Sequence, residues 1–361
     1  MRFPSFFIPL ALAATASTQT VNIVAHQDDD LLFLNPDILN EIQSGRSIRT
    51  IYITAGDAGG DESYWTSREE GSRAAYAAMS GVDNTWTQSD AGISGFSIPL
   101  FTLDGNPSIS LTFLRLPDGR DDGQGFGLGS LQQLWQGAVP SLTAFTGSSY
   151  SKDALVSVLR QLLDNYDHDR VNTQDFTHAY GEGDHSDHYS TGYFVREAIG
   201  NCGSAQTLTS YMGYPVESLQ PNVADGALER KTSTFYTYAV HDNHVCSSSE
   251  TCSNRVEETW LQRQYVVDRL DLSACDNQGG TSTTESIMRT ETASLSTKNP
   301  VNSRPVIPQT VETNTPSSSA AVPSETATPS QLLFTGGSGS TVVLSGGVCI
   351  FVAIVSAIAM L

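Results

Sequence analysis

The chain has 361 residues, room for one large domain or two small ones, and its 39 acidic against 19 basic side chains leave a net charge of −20. That balance argues against nucleic acid and against anionic membrane surfaces as partners, since both require basic patches. It suits an extracellular protein.

The N-terminus reads as a processing segment over 1–16. Arg2 supplies the positive region, Phe3 to Ala13 the apolar stretch and Ala14-Thr15-Ala16 the small-residue cleavage pattern. The folded region is expected over 17–276. It begins with the apolar run Val21-Asn22-Ile23-Val24-Ala25, a short buried strand that stops abruptly in His26-Gln27-Asp28-Asp29-Asp30. Leu31 to Ile42 follows with apolar residues at helical spacing, and Gly45 lies just beyond as a stop.

Ile48 to Thr54 reads as a second strand. The glycines after it, in Ala55-Gly56-Asp57-Ala58-Gly59-Gly60, would let backbone approach a ligand. An alanine-rich helix is expected from Ser67 to Met79, ended by Gly81. Ile109 to Leu116 alternates as a strand, and Pro117-Asp118-Gly119 closes it with turn chemistry. Arg120 to Gly129 is a glycine-rich loop of the kind that borders sites. Asp153 to Leu163 carries a leucine stripe and is the clearest helix. After Asp175 to His178 comes a second polar cluster, Asp184-His185-Ser186-Asp187-His188. Alternating strands and helices point to a three-layer α/β sandwich with a mostly parallel sheet.

Of the five cysteines, Cys202, Cys246, Cys252 and Cys275 fall in the folded region, an even number suited to two disulfides in an oxidising compartment. Cys246 and Cys252 are close enough to pair locally, which would leave Cys202 with Cys275; the other connectivities stay open. From 277 to 340 serine, threonine and proline dominate and no periodicity survives, as in an O-glycosylated stalk. The uncharged apolar tail, 341–361 with Cys349 in it, is long enough to span a bilayer. With Gly336-Gly337-Ser338 upstream and no flanking basic residue, it fits a glycosylphosphatidylinositol-attachment signal better. The expected location is therefore the secretory pathway and the cell surface or wall, tethered to a membrane by that tail.

The two polar clusters carry the chemistry. His26, Asp29 and His188 offer two imidazoles and one carboxylate, a catalytic zinc set with a position left for water. Asp28, pointing elsewhere from the same turn, is the candidate general base. His185 is placed to hold or deliver a proton to a leaving nitrogen, and Asp187 to orient a histidine by hydrogen bonding. Fe(II), Co(II) or Ni(II) would also accept this donor set. Either cluster alone has a plain reading, an acidic turn or a surface loop. His168, His178, His241 and His244 follow no apolar strand and are taken as structural or surface.

Ala25-His26-Gln27-Asp28-Asp29-Asp30 resembles the A-H-P-D-D-E signature of the PIG-L/LmbE-like deacetylases, and His185-Ser186-Asp187-His188 resembles their H-x-D-H signature. The resemblance covers roughly Val21 to Leu272, with Gln27 in place of proline and Asp30 in place of glutamate, the latter expected at the pocket rim. It implies a Rossmann-like fold and a zinc-dependent de-N-acetylase in a secreted, fungal-type member. The substrate it implies is a GlcNAc-containing glycan or glycolipid. It also implies Asp57 and Arg68 near the pocket, although Arg68 is equally read as an exposed helix-start residue paired with a glutamate. The alternatives are the de-N-acetylase of glycosylphosphatidylinositol biosynthesis in the endoplasmic reticulum, and a surface glycan-binding protein without turnover.

Overall fold

A computed structural model describes residues 19–200 and 205–273. The chain divides into two units, Met1–Glu285 and Ser286–Leu361, and every described residue belongs to the first. The expected leader, stalk and apolar tail lie outside the described residues, as do Cys202, Cys275 and Cys349. Among the described residues no helix is long and apolar enough to cross a membrane.

The strands are β1 (Gln19–Val24), β2 (Ser47–Thr54), β3 (Trp86–Asp90), β4 (Pro99–Leu103), β5 (Ile109–Leu116), the two-residue pair β6 (Leu142–Thr143) and β7 (Ser149–Tyr150), β8 (Arg170–Gln174), β9 (Thr207–Tyr211) and β10 (Val266–Asp271). Eight form one sheet in the order β10-β9-β8-β1-β2-β5-β4-β3. The five central strands run parallel, and β10, β4 and β3 pair antiparallel at the edges. Successive strands leave β1 toward β2 on one side, while β8 returns on the other. The crevice between the carboxyl ends of β1 and β8 is thus the switch point, where open α/β sheets bind ligands.

Period-two alternation sorts each central strand between the two faces. Val21, Ile23, Ile51, Ile53 and Val171 pack beneath α4 (Lys152–Asp164) and α5 (Ser186–Ile199). Val24, Ile48, Tyr52 and Phe113 pack beneath α1 (Asp37–Gln43), α2 (Glu62–Ser80) and α6 (Asp225–Ala239). The leucine stripe seats α4: Leu155, Leu159 and Leu162 are fully buried, each contributing roughly 1.5–3 kcal/mol. Helices therefore cover both faces, and the fold is the expected three-layer α/β sandwich with a mostly parallel sheet.

Two helices differ from expectation. The run Leu31 to Ile42 is not one helix. A π-helical turn, Asp30–Leu34, stops at the cis Asn35–Pro36 bond, and α1 starts at Asp37. Pro36 lacks an N–H and excludes helical geometry from the residue before it, so the apolar spacing spans a break. The helix expected from Ser67 starts five residues earlier at Glu62, because the Asp61 carboxylate caps Tyr64 N.

Asp30 also departs from its expected place at the pocket rim. It is wholly buried on the α1/α2 side, where Oδ2 accepts from Tyr52 Oη at 2.9 Å and Tyr76 Oη at 2.7 Å. A polar chain continues through Thr50, Asn22 and Asn172 on the same face. The side chain that follows ligand candidate Asp29 is thereby moored to β2 and α2.

Lys231 of α6 is fully buried and donates to the carbonyls of Arg263 at 2.6 Å and Trp260 at 3.3 Å. Two acceptors satisfy a neutral amine and leave the third N–H of an ammonium unmatched. Burial accordingly pushes its pKa down to about 7, with Asp37 opposing. Since the folded value lies below the unfolded one, the unfolded chain binds the extra proton between these values and stability rises with pH above about 7. Lys231→Met is expected to remove about 2 kcal/mol of that rise between pH 7 and 9, read from urea midpoints at both pH values. An unchanged slope would mean that Lys231 folds charged.

Candidate metal centre

Three strand ends and one helix start build the site. β1 runs into His26-Gln27-Asp28-Asp29, β2 into the loop bearing Asp57, β5 into Asp118, and β8 leads through 175–184 to the first turn of α5. Register holds the first and last together. The Gln174 side chain accepts from Ala25 N at 2.8 Å, and Thr173 Oγ1 donates to Ile23 O.

His26, Asp29 and His188, distant in sequence, converge with one donor atom each within 4.8 Å of one another. Asp29 stands between the histidines. Its Oδ2 is 3.1 Å from His26 Nδ1 and its Oδ1 2.9 Å from His188 Nε2. The His26 backbone N–H also donates to Oδ2 at 2.6 Å, which orients the carboxylate.

The partner of each histidine sets its tautomer. His188 Nδ1 lies 2.7 Å from the Asp184 carboxylate, which can only accept, so Nδ1 carries a proton and Nε2 is the nitrogen turned toward Asp29 and available to a metal that displaces its proton. That Nε2 is buried, close to Asp29 and yet without a hydrogen-bond partner. His26 Nε2 lies 3.3 Å from Asp187 Oδ2, which also accepts from Gly119 N at 2.7 Å. Donors 2.9–3.1 Å apart can surround one ion with ligand bonds of about 2.1 Å, and each imidazole is backed by a carboxylate. The residues fit a divalent metal.

Charge points the same way. Burial would raise the Asp29 carboxyl, but His188 and His26 hold it well below its usual range. Burial would lower His188, yet Asp29 and Asp184 lift it to about 10. His26 is raised well above its ordinary value against the same desolvation, chiefly by Asp29. The buried carboxylates demand positive charge, which protons or a metal ion can supply.

Asp28 stands outside the ligand group and lines a cavity of about 490 Å³. Its Oδ1 accepts from Arg68 Nη2 at 2.8 Å; burial pushes the carboxyl up to about 6, with Arg68 opposing. Arg68 is therefore not an exposed helix-start residue. It is buried, donating to Tyr238 Oη and Gly56 O and paired with Asp242 at 2.9 Å. A Cβ at Gly56 would collide with this guanidinium, so that glycine makes room for Arg68 rather than for a ligand. Asp57 is also buried but holds backbone, accepting from Asp118 N at 2.8 Å and Gly59 N at 3.1 Å.

His185 caps α5. Its Nδ1 accepts from Asp187 N at 3.1 Å, which leaves the proton on Nε2, 3.5 Å from Asp121 Oδ1 and 3.7 Å from Asp118 Oδ1 at the cavity. Burial, then His26, lowers its pKa, so it stays a neutral donor. Behind His188 stand Phe33 and Tyr214, the latter stacked on Trp260 at 4.7 Å.

Several site residues escaped the sequence reading. Asp118, taken as a turn residue, follows β5 at the same sheet edge as His26 and Asp57, and that position was the available signal. Asp184 stood in the second cluster without a role. Tyr214, Tyr238, Asp242 and His244 come from later segments with no local signal. His244, taken as structural or surface, lines the cavity, while His178 is half-exposed and bound to Asp175. The Cys246–Cys252 disulfide is present and pins the segment after His244; the second pairing lies outside the described residues.

Fold and site together define a doubly wound α/β protein with a buried histidine–carboxylate centre at its switch point. The family model PIG-L, described as GlcNAc-PI de-N-acetylase, matches residues 21–199, about half of the chain. No curated protein matches the sequence significantly. Among solved structures, N,N'-diacetylchitobiose deacetylase from Pyrococcus horikoshii is similar at 15% identity, over 68% of this chain and 75% of that one, with a TM-score of 0.40. A deacetylase of the teicoplanin biosynthesis pathway is similar at 13% identity, over 67% and 90%, with a TM-score of 0.39. A 4-carboxy-2-hydroxymuconate hydratase from Pseudomonas putida is similar at 12% identity, over 67% and 82%, with a TM-score of 0.38. Since fold does not fix reaction, the activity is argued from the site's own residues.

Proposed function

We propose that the chain is a metal-dependent de-N-acetylase, zinc being the expected ion, acting on GlcNAc-containing glycans. The observation that carries this reading is the convergence of His26, Asp29 and His188 with Asp28 left free beside them. A divalent ion held by these three ligands supplies a Lewis acid and an acidified water.

The chain's own groups do the rest. Asp28, fixed by Arg68, takes the proton of the water that attacks the acetamide carbonyl. His185 Nε2–H faces the cavity and donates to the carbonyl oxygen as it becomes negative. The proton that Asp28 takes from water can then pass to the leaving nitrogen. The neutral His185 then serves as oxyanion donor rather than as the acid. Water and the amide become acetate and a free amine.

The cavity selects against anionic substrates. Asp28, Asp118, Asp121, Asp122 and Asp242 line it against two arginines; Arg68 is committed to carboxylates and Arg120 lies 3.7 Å from Asp122. A phosphodiester, required by the glycosylphosphatidylinositol-biosynthetic reading, would meet this acidic wall, whereas an uncharged glycan and its amine product would not. The Cys246–Cys252 bond is consistent with passage through the secretory pathway.

The test is acetate and amine release from N-acetylglucosaminides by the metal-loaded protein, with and without a chelator. Stoichiometric release that chelation stops and added zinc restores is expected. No release from any N-acetylglucosaminide would overturn the reading.

A further inference from the structure

We propose that the groove beside the reaction cavity is a second sugar subsite, so that the protein works on chains of at least two sugar residues. This rests on the proposed function for which cavity receives the acetamide.

The groove, about 770 Å³, is formed by the start of α2 and by residues 239–247 after α6, and it is larger than the reaction cavity. The two share Tyr64, Asp242, His244 and Val245 in their linings, so the groove adjoins the cavity where a second ring of a bound sugar chain would lie. In this shared lining the Tyr64 and His244 rings lie 4.4 Å apart, tilted by 35°, and Tyr64 Oη donates to Asp242 Oδ1 at 3.1 Å. An aromatic surface between hydrogen-bonding groups is what a pyranose requires, apolar C–H faces on one side and hydroxyls around the rim.

The chemistry of the lining is specific. Asp61, Ser63, Ser67, His241 and Asn243 offer donors and acceptors, and no lysine or arginine is present in it. Phosphate and sulfate esters are therefore poor occupants, and neutral polyhydroxylated ones are favoured. The wall is also held in advance of any ligand. His244 N donates to Asp242 Oδ1 at 2.9 Å, Arg255 donates to His244 O at 2.7 Å, and the Cys246–Cys252 bond closes the segment. Pre-organisation of this kind lowers the ordering cost of binding. Residues 239–247 lie beyond the stretch matched by the family model, so this wall is additional to the two signature motifs.

The experiment titrates the full-length, metal-loaded Asp28→Asn protein calorimetrically with N-acetylglucosamine and with N,N'-diacetylchitobiose, and compares wild-type kcat/KM for the two. The disaccharide is expected to bind at least about tenfold tighter, the equivalent of about 1.4 kcal/mol. Adding Ser63→Trp, which fills the groove, or Asn243→Ala, which strips a polar contact, should erase the advantage and leave monosaccharide binding unchanged. Both positions are exposed, so folding is not at stake. Equal affinity for the two sugars, an advantage that survives both variants, or no binding of either sugar overturns the subsite. If neither sugar releases acetate while the disaccharide advantage and its loss persist, the deacetylase reading fails and the subsite stands. If both sugars are hydrolysed with equal kcat/KM and bound equally, the reverse holds.

Discussion

Asp28→Asn is expected to lower kcat for acetate release by roughly 10²–10⁴-fold, or roughly 3–5 kcal/mol of barrier, with metal content unchanged. The prediction separates two jobs given to adjacent carboxylates. Asp29 lies between the two histidines, whereas Asp28 leaves the turn in another direction, reaches the cavity and meets Arg68 at 2.8 Å. Asparagine keeps the volume and can accept the same hydrogen bond, but it cannot take a proton from water. Turnover by the purified variant, beside metal analysis of the same preparation, reads both. A rate within tenfold of the parent protein would remove Asp28 from the mechanism; a loss of metal would make it a ligand.

His188→Ala is expected to abolish turnover together with metal-dependent stabilisation. His188 is wholly buried and links Asp184 to Asp29, so its removal deletes one of three donors and leaves two carboxylates facing a void. An ion that binds only the folded chain raises the melting temperature according to its concentration over its dissociation constant; a hundredfold excess is worth about 2.7 kcal/mol. Thermal unfolding of the parent protein should therefore shift upward with added zinc and downward with chelator. The variant should show neither shift. A variant that still gains stability from zinc would place the ion elsewhere, the neighbouring group of His26, Asp118, His185 and Asp187 being the other such arrangement among the described residues.

Much of the centre was legible because it sits where an apolar run ends. Val21 to Ala25 announces a strand, and the residues after it are carried to the sheet edge without help from distant contacts. Ile109 to Leu116 was read to its exact ends for the same reason. The strand β8 escaped because Asn172, Thr173 and Gln174 are polar yet buried, each hydrogen-bonded to β1 or the residues just beyond it. Hydropathy cannot see a polar side chain whose partner lies 150 positions away. Asp242 and His244 were invisible for a related reason: only the packing of α6 against α2 brings them to Arg68 and Tyr64. Arg68 shows the converse, since its spacing on α2 fits a solvated face and only Asp28, Asp242 and Tyr238 explain its burial.

The mooring of Asp30 has a consequence for how the centre is loaded. Two tyrosine hydroxyls grip the carboxylate next to Asp29, while Asp184 and Asp187 fix the imidazoles on either side. Each ligand is thus anchored by protein atoms that owe nothing to the ion. The expected consequence is that chelation lowers stability without unfolding the chain, in contrast to a zinc finger, which collapses when stripped. If the reading holds, the metal found in the purified protein reflects supply as much as selectivity, since two imidazoles and a carboxylate suit several transition metals.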